Sequence, residues 1–272
     1  MADNYLEKKF EEHLNASSKP AVKHRPTRER KAVVTGGAKG VGMAIVRALR
    51  IAGHKVAFCD IDDIAGKETA LRTGTNFHHV DVADPDAYRA FLLSVANQWG
   101  GIDIIVNNAV FKQPDALLDA TLGQFDLAMA SDVRPILIGA QEMARLRTSL
   151  PATERPYGRI VNICSSRQRQ SLPGNDIQAA AMGAVFSLTH SLAISLAPFG
   201  ITVNSVSPGM IATSEFESVP EEFHVQHPSG RVGRPDDVAR AVRFLIDEGN
   251  DFINAENIVI DGGLSRKMAF VP

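Results

Sequence analysis

Three stretches of the chain carry residue types and spacings that could do chemistry. The first is Thr35-Gly36-Gly37-Ala38-Lys39-Gly40-Val41-Gly42, which follows an apolar run at 32–34 and opens a helical pattern. Glycines there let the backbone turn sharply and approach a pyrophosphate, whose charge then meets the unsatisfied N–H groups of the helix N-terminus. A tight strand-to-helix turn of any kind also uses glycine, but the run before it and the helix after it supply the context of a dinucleotide site. Asp60 ends the next apolar run, eighteen residues beyond Gly42. A carboxylate at that position accepts from both hydroxyls of an adenosine ribose and repels a 2′-phosphate, which favours NAD over NADP. Lys39 pulls weakly the other way, because a cation in the turn helps hold the extra phosphate. The alternative role for Asp60 is an ordinary helix cap.

The second stretch is Ser165 with Arg167 and Arg169, just after the apolar run at 160–163. Guanidinium groups bind a carboxylate or phosphate in a bidentate way, or else stand solvated at the surface; as acids at neutral pH they are unsuitable. The third is the pair His224 and His227, at i, i+3 spacing within a segment at 210–230 that also carries Phe216, Glu221, Glu222 and Phe223. A metal site needs further ligands, none of which is evident, so these read as lid or surface histidines.

The elements that position these groups follow from periodicity. Short β-rich runs at 32–34, 56–58, 102–106, 160–163, 201–206 and 258–260 alternate with helical spacings such as 43–52, 88–99 and 179–196. That alternation argues an α/β fold: one doubly wound parallel sheet with helices on both faces, built from right-handed βαβ units. No repeat and no second core is visible, so residues 31–272 form one domain. Residues 1–30 read as an extension, in which Leu6, Phe10 and Leu14 make the stripe of a short amphipathic helix or a frayed tail, followed by a polar linker.

Composition bounds the partners. The 272 residues are 44% hydrophobic and 22% charged, with 29 basic and 31 acidic side chains. A net charge of −2 offers no positive field for nucleic acid or an anionic membrane, and no uninterrupted apolar run approaches the about 20 residues of a membrane span. Cys59 and Cys164 lie in apolar runs without metal-ligand spacing, as buried free thiols in the reducing cytoplasm do. A small-molecule ligand is the expected partner.

Taken in order, these motifs resemble the short-chain dehydrogenases/reductases over about residues 31–263. The glycine turn matches the family's TGxxxGxG, which implies cofactor contacts from Gly36, Lys39, Gly40, Val41 and Gly42, with Asp60 and Ile61 beside the ribose. Asp81-Val82 matches the pair at the adenine ring. Asn107-Asn108-Ala109 matches the NNAG motif, with Val110 for its last glycine and hence a more crowded backbone beside the cofactor. Ile163-Cys164-Ser165 resembles the strand ending in the catalytic serine. Pro208-Gly209, Ile211 and Thr213 resemble the PGxxxT segment at the nicotinamide carboxamide, and Asp261-Gly262-Gly263 the closing DGG. The resemblance implies about seven strands in a Rossmann-type sheet, an NAD(P) cofactor, and a dimer or tetramer.

The catalytic pattern breaks. The family uses a Tyr and, four residues on, a Lys, which share one helix face so that phenol and ammonium converge. The Tyr is expected thirteen residues after the serine; from Ser165 that position is Gln178, and the Lys position is Met182. Slippage does not rescue the pair: the tyrosines are Tyr5, Tyr88 and Tyr157, and no lysine lies between Lys112 and Lys267. The family's helix Asn, which serves the proton relay, aligns with Asp132, either a buried titrating group or a solvated partner of Arg134. Asp176 either caps the helix or reaches inward. Gln178 does not exchange a proton usefully near neutral pH, and Met182 has no charge for ribose hydroxyls. Loss of acid–base help alone costs roughly 10²- to 10⁴-fold. Two functions stay open: an NAD(H)-binding homologue impaired in alcohol/ketone hydride transfer, acting as a partner or regulatory subunit, alone or with an intact relative; or an active dehydrogenase of a small hydroxy or keto compound that uses Ser165, Gln178 and Asp132.

Overall fold

The computed structural model describes residues 29–111, 116–148, 157–213 and 215–268. The amphipathic stripe at Leu6, Phe10 and Leu14 lies outside the described residues. Seven strands form one parallel sheet in the order β3-β2-β1-β4-β5-β6-β7. They are β1 (Lys31–Thr35), β2 (Lys55–Asp60), β3 (Asn76–His79), β4 (Ile104–Asn107), β5 (Gly158–Ile163), β6 (Ile201–Pro208) and β7 (Asn257–Ile260). The longer helices are α1 (Gly40–Ile51), α2 (Asp63–Thr73), α3 (Pro85–Trp99), α4 (Leu122–Ala128), α5 (Arg134–Thr148), α6 (Asp176–Leu196) and, after a four-residue α7 (Glu221–His224), α8 (Pro235–Leu245).

The period of two along the strands sorts the core into two layers. Val33, Ala57, Ile105, Ile160 and Val203 face the layer built with α3, α5 and α6. Val34, Phe58, Ile104 and Val161, each next in the chain to one of these, and Val206 further along β6 face the layer built with α1 and α8. Strands buried on both faces read as continuous apolar runs, which is why β1, β2, β4, β5 and β6 are visible in the sequence; β7, at one edge and part-buried throughout, is visible because it keeps the run Ile258-Val259-Ile260. The seventh, β3, reads Asn-Phe-His-His at the sheet's edge and is only part-buried, so no apolar run announces it.

Local chemistry sets the element ends. Asp62 and Asp84 cap α2 and α3 by accepting backbone N–H groups, and Gly74 and Gly100 close the same helices in the left-handed region. Between α4 and α5 the chain widens into a π turn over Met129–Val133, which carries Asp132. Helix α6 with its continuation, Asp176–Phe199, has a mean hydropathy of 1.5 and is long and apolar enough to cross a membrane by length and composition alone. Counting uninterrupted apolar runs misses it, because Ser, Thr and Gln punctuate the helix. Here it packs on the sheet, with Met182, Val185, Leu192 and Leu196 in the core.

Candidate functional site

The strand order reverses between β1 and β4, and the crevice at their carboxyl ends is where an open α/β sheet takes a ligand. The glycine turn lies there. Gly36 and Gly40 sit at φ +64° and +53°, a region other residues adopt only under strain, and a Cβ on Gly42 would lie 1.9 Å from the Gly36 carbonyl oxygen. Asn108 holds the turn from the next strand: its amide donates to the carbonyls of Thr35, at 3.1 Å, and Gly36, at 2.9 Å. Thr35 Oγ1 in return accepts from the N–H groups of Asn108 and Ala109. Across the crevice the Thr213 methyl lies 3.2 Å from where a Gly40 Cβ would stand, and a Cβ on Gly209 would strike Asp261 at 2.7 Å. Four segments far apart in sequence therefore close around one backbone cradle.

Asp60 is not the cap of α2; Asp62 fills that position. Asp60 accepts from the Ala38 N–H at 2.9 Å through one oxygen and from the Asp62 N–H at 3.1 Å through the other, so it braces the turn from the side. A carboxylate has about four lone-pair sites, which leaves acceptors free for ribose hydroxyls. Lys39 is exposed and pairs with Asp62 at 2.5 Å, each holding the other's charged form, the ammonium above and the carboxylate below its usual range. Ile61 and Asp81 are exposed at this rim, Val82 is buried beneath it, and Val41 and Ile211 are part-buried. Val110 is 36% exposed. A dinucleotide fits this cradle: the turn leaves room only for bare backbone.

The other half of the site lies between β5 and α6. Ser165 stands two residues beyond the end of β5 and caps a single 3-10 turn, accepting from the Arg167 N–H at 3.2 Å. Gln178 sits in the first turn of α6, and its side-chain oxygen accepts from the Arg167 guanidinium. Arg167 is thus half-buried against the helix rather than solvated, while Arg169 is exposed and lies over the Phe186 ring at 5.4 Å. Met182, one turn further on, is 2% exposed and packed in the core layer, and the Cys164 thiol donates to its backbone carbonyl at 3.3 Å. Asp176 is the first residue of α6 and is exposed; Asn175 holds the cap position without a side-chain bond, so neither reading of Asp176 as cap or inward group holds.

Asp132 is 5% exposed. Its Oδ1 accepts from the Phe111 N–H at 2.7 Å, while Oδ2 is buried without a partner among the described residues. Burial pushes its carboxyl up to about 7 against the opposing hydrogen bonds from Phe111 and Ser131. Arg134 does not pair with it but reaches the Ala83 carbonyl. The solvated alternative therefore gives way to the buried, titrating one.

The remaining candidates are structural. His224 lies edge-on to Phe216 and accepts from the Val232 N–H; His227 is bonded to the Phe223 carbonyl, and Arg234 covers the other contact of Phe216 at 4.0 Å. No group of three metal-ligating side chains exists among the described residues. Asp261 accepts from the Gly263 and Ser265 N–H groups; burial raises its carboxyl, but those bonds prevail and hold it below the usual range. Both cysteines are buried and free, and burial raises both thiols. Sequence reading missed the ladder that ties the strands beneath the site, Asn107 to Asn162 at 2.8 Å and Asn162 to Thr189 at 2.9 Å. Asn107 was visible through the NNAG match; its partners Asn162 and Thr189 were signalled only as polar residues at apolar positions of β5 and α6.

The profile of a family described as enoyl-(acyl carrier protein) reductase matches residues 36–265. An uncharacterized oxidoreductase of Thermotoga maritima is 36% identical over 253 residues, 88% of this chain and 97% of that protein. A 3-alpha-(or 20-beta)-hydroxysteroid dehydrogenase of Mycobacterium bovis is 31% identical over 88% of this chain and 90% of its own. Among solved structures, an apo SCOR enzyme from Clostridium thermocellum superposes with a TM-score of 0.78 at 34% identity, covering 89% of this chain and 96% of that one. With a seven-stranded parallel sheet, a glycine cradle and these relatives, the chain belongs to the short-chain dehydrogenase/reductase family of oxidoreductases, which bind a nicotinamide cofactor.

Proposed function

We propose that this protein binds NAD(H) in preference to the 2′-phosphorylated form, and that it is strongly impaired in alcohol/ketone hydride transfer by the family route. The bound nicotinamide would supply a hydride donor or acceptor; the chain's own residues must supply and remove the proton. The observation that carries the proposal is the face of α6 beside Ser165. It bears Gln178, whose amide is not an acid near neutral pH, and Met182, which is uncharged and buried. From Ile177 to Thr189 the helix carries no ionisable side chain. The cofactor preference is supported by Asp60 bracing the turn and by Asp62 engaging the Lys39 charge that would otherwise favour a 2′-phosphate.

On this reading the protein acts as a nucleotide-loaded partner or regulator in the cytoplasm, as a homo-oligomer or beside an intact relative. The small-residue surface of α6, with Ala180, Ser187 and Ser191 exposed, supports close helix contact with another subunit. A second reading, an active dehydrogenase with a non-standard proton donor, is favoured by one observation. Asp132 has a buried, unpartnered Oδ2 and titrates near neutrality.

Equilibrium titration with NADH and NADPH, followed by turnover assays on a panel of alcohols and ketones, separates these readings. The proposal expects nucleotide binding that favours NADH, with rates far below the about 1–10³ per second of ordinary enzymes. Rates in that range, with a pH profile lost in Asp132→Asn, would establish the second reading.

A further inference from the structure

We infer that the face between Ser165 and Gln178 takes an anion, a small carboxylate or phosphate ester, and that the Arg167 guanidinium recognises it. The inference rests on the proposed function for placing this face beside the nucleotide site, and on charge for what it takes.

The segment from Ser165 to Gln170 alternates its side chains between two anchorages. Gln168 donates to Ser207 of β6 at 3.0 Å, and Gln170 reaches the Ser265 carbonyl at 3.5 Å. Arg167 and Arg169 point the other way, onto Gln178 and Phe186 of α6. The glutamines thus fix the segment to the sheet side, and Arg167 is held where its fork meets Gln178.

What it meets there is neutral. Its side-chain bond goes to an amide oxygen, and no carboxylate pairs with it among the described residues. Arg30 and Arg89 are each paired with a carboxylate, Glu248 and Glu142, and the buried Arg147 bonds the carbonyls of Met143, Ile102 and Tyr157; Arg159, also buried without a carboxylate, bonds the Gly158 carbonyl and stacks on the Tyr157 ring. Asp176, the acidic residue nearest in sequence, is exposed and unpaired with it. A guanidinium has five N–H donors, so most of the fork stays unused. The neighbouring groups are donors too. Ser165 Oγ accepts from the Arg167 N–H, leaving its own O–H free to donate, and the Gln178 amide N–H groups have no acceptor among the described residues. A half-buried cation flanked by two spare donors and no counter-ion is a site for an anion with oxygen acceptors in one plane.

The test is calorimetric titration of the full-length protein with malonate, succinate and inorganic phosphate, against malonamide and succinamide, at constant ionic strength, with and without NADH. At least one anion should bind about tenfold or more tightly than its neutral counterpart. Arg167→Leu should abolish that margin, and Arg167→Lys, which keeps the charge without the fork, should restore part of it. Thermal melting of both variants reports whether they fold. Equal binding of diacid and diamide, absence of anion binding, or an anion affinity unchanged in Arg167→Leu would each overturn the inference. Failure of the cofactor reading shows separately, as absent NADH binding in the wild type, while the anion margin remains measurable in nucleotide-free protein.

Discussion

The two halves of the crevice have different chemistry and different tolerance. On the β1–β2 side, contacts are made by backbone: glycines at positive φ, amide-to-carbonyl bonds from Asn108, and one carboxylate bracing the turn. On the β5–α6 side, the same architecture presents Ser165, Gln178 and Met182, where the chemistry depends on which atoms end the side chains. Exchanging a side chain on α6 leaves the helix and its packing intact, since Met fills the space of a long stem without asking for a partner. Exchanging a glycine in the cradle disturbs the backbone itself. A fold can therefore keep its nucleotide geometry while its proton chemistry changes. The difference teaches that the cradle reports on binding alone, and that activity must be read from α6.

The comparison can be broken first at the cradle. Gly42→Val would drive a Cβ into the Gly36 carbonyl, 1.9 Å away, and is expected to abolish NADH binding in a fluorescence titration; retained affinity would mean the turn does not hold the nucleotide. The next effect lies at Asp132. Its native carboxyl keeps a proton up to about 7, whereas an unfolded Asp releases it near about 3.9. Between those values the native state binds more protons than the unfolded one, so stability falls as pH rises through the window, and the penalty is complete above it. Asp132→Asn keeps an acceptor for the Phe111 N–H and removes the charge, so it should be more stable than wild type at pH 8, by on the order of 2 kcal/mol, and lose that advantage near pH 4. Melting curves across pH check this; parallel curves would contradict it.

A smaller change is expected at the ribose. Asp60→Ala should shift the NADH:NADPH affinity ratio toward NADPH by about tenfold, the worth of one charge-assisted contact. An unchanged ratio would remove Asp60 from ribose recognition. The smallest belongs to Lys39→Ala: its exposed pair with Asp62 should leave the melting temperature unmoved.

The sequence made the cradle legible because its requirements are steric and local: Gly36, Gly40 and Gly42 stand at fixed spacing between a strand and a helix, and Asp60 ends the next strand. The sheet was legible through its apolar runs, the edge strand β7 included, and not through β3, whose Asn-Phe-His-His carries none. Arg167 was open between surface and site, because its bond to Gln178 crosses a turn of eleven residues whose path only tertiary structure fixes. The π turn that buries Asp132 was hidden for a related reason. One residue wider than a helical turn, it leaves Ser131-Asp132-Val133-Arg134 reading as ordinary helix. The Asn107–Asn162–Thr189 ladder needed three elements to be adjacent before its polar residues made sense.

The central claim is that α6 lacks a group able to move a proton at the reacting oxygen. Its most direct test mixes NADH with a panel of aldehydes and ketones and follows the loss of reduced-nucleotide absorbance, in wild type and in Gln178→Tyr/Met182→Lys side by side. The account predicts a barely measurable wild-type rate and a gain of about 10²-fold or more in the double variant. Wild-type turnover at ordinary enzymatic rates, undiminished beside the double variant, would contradict it.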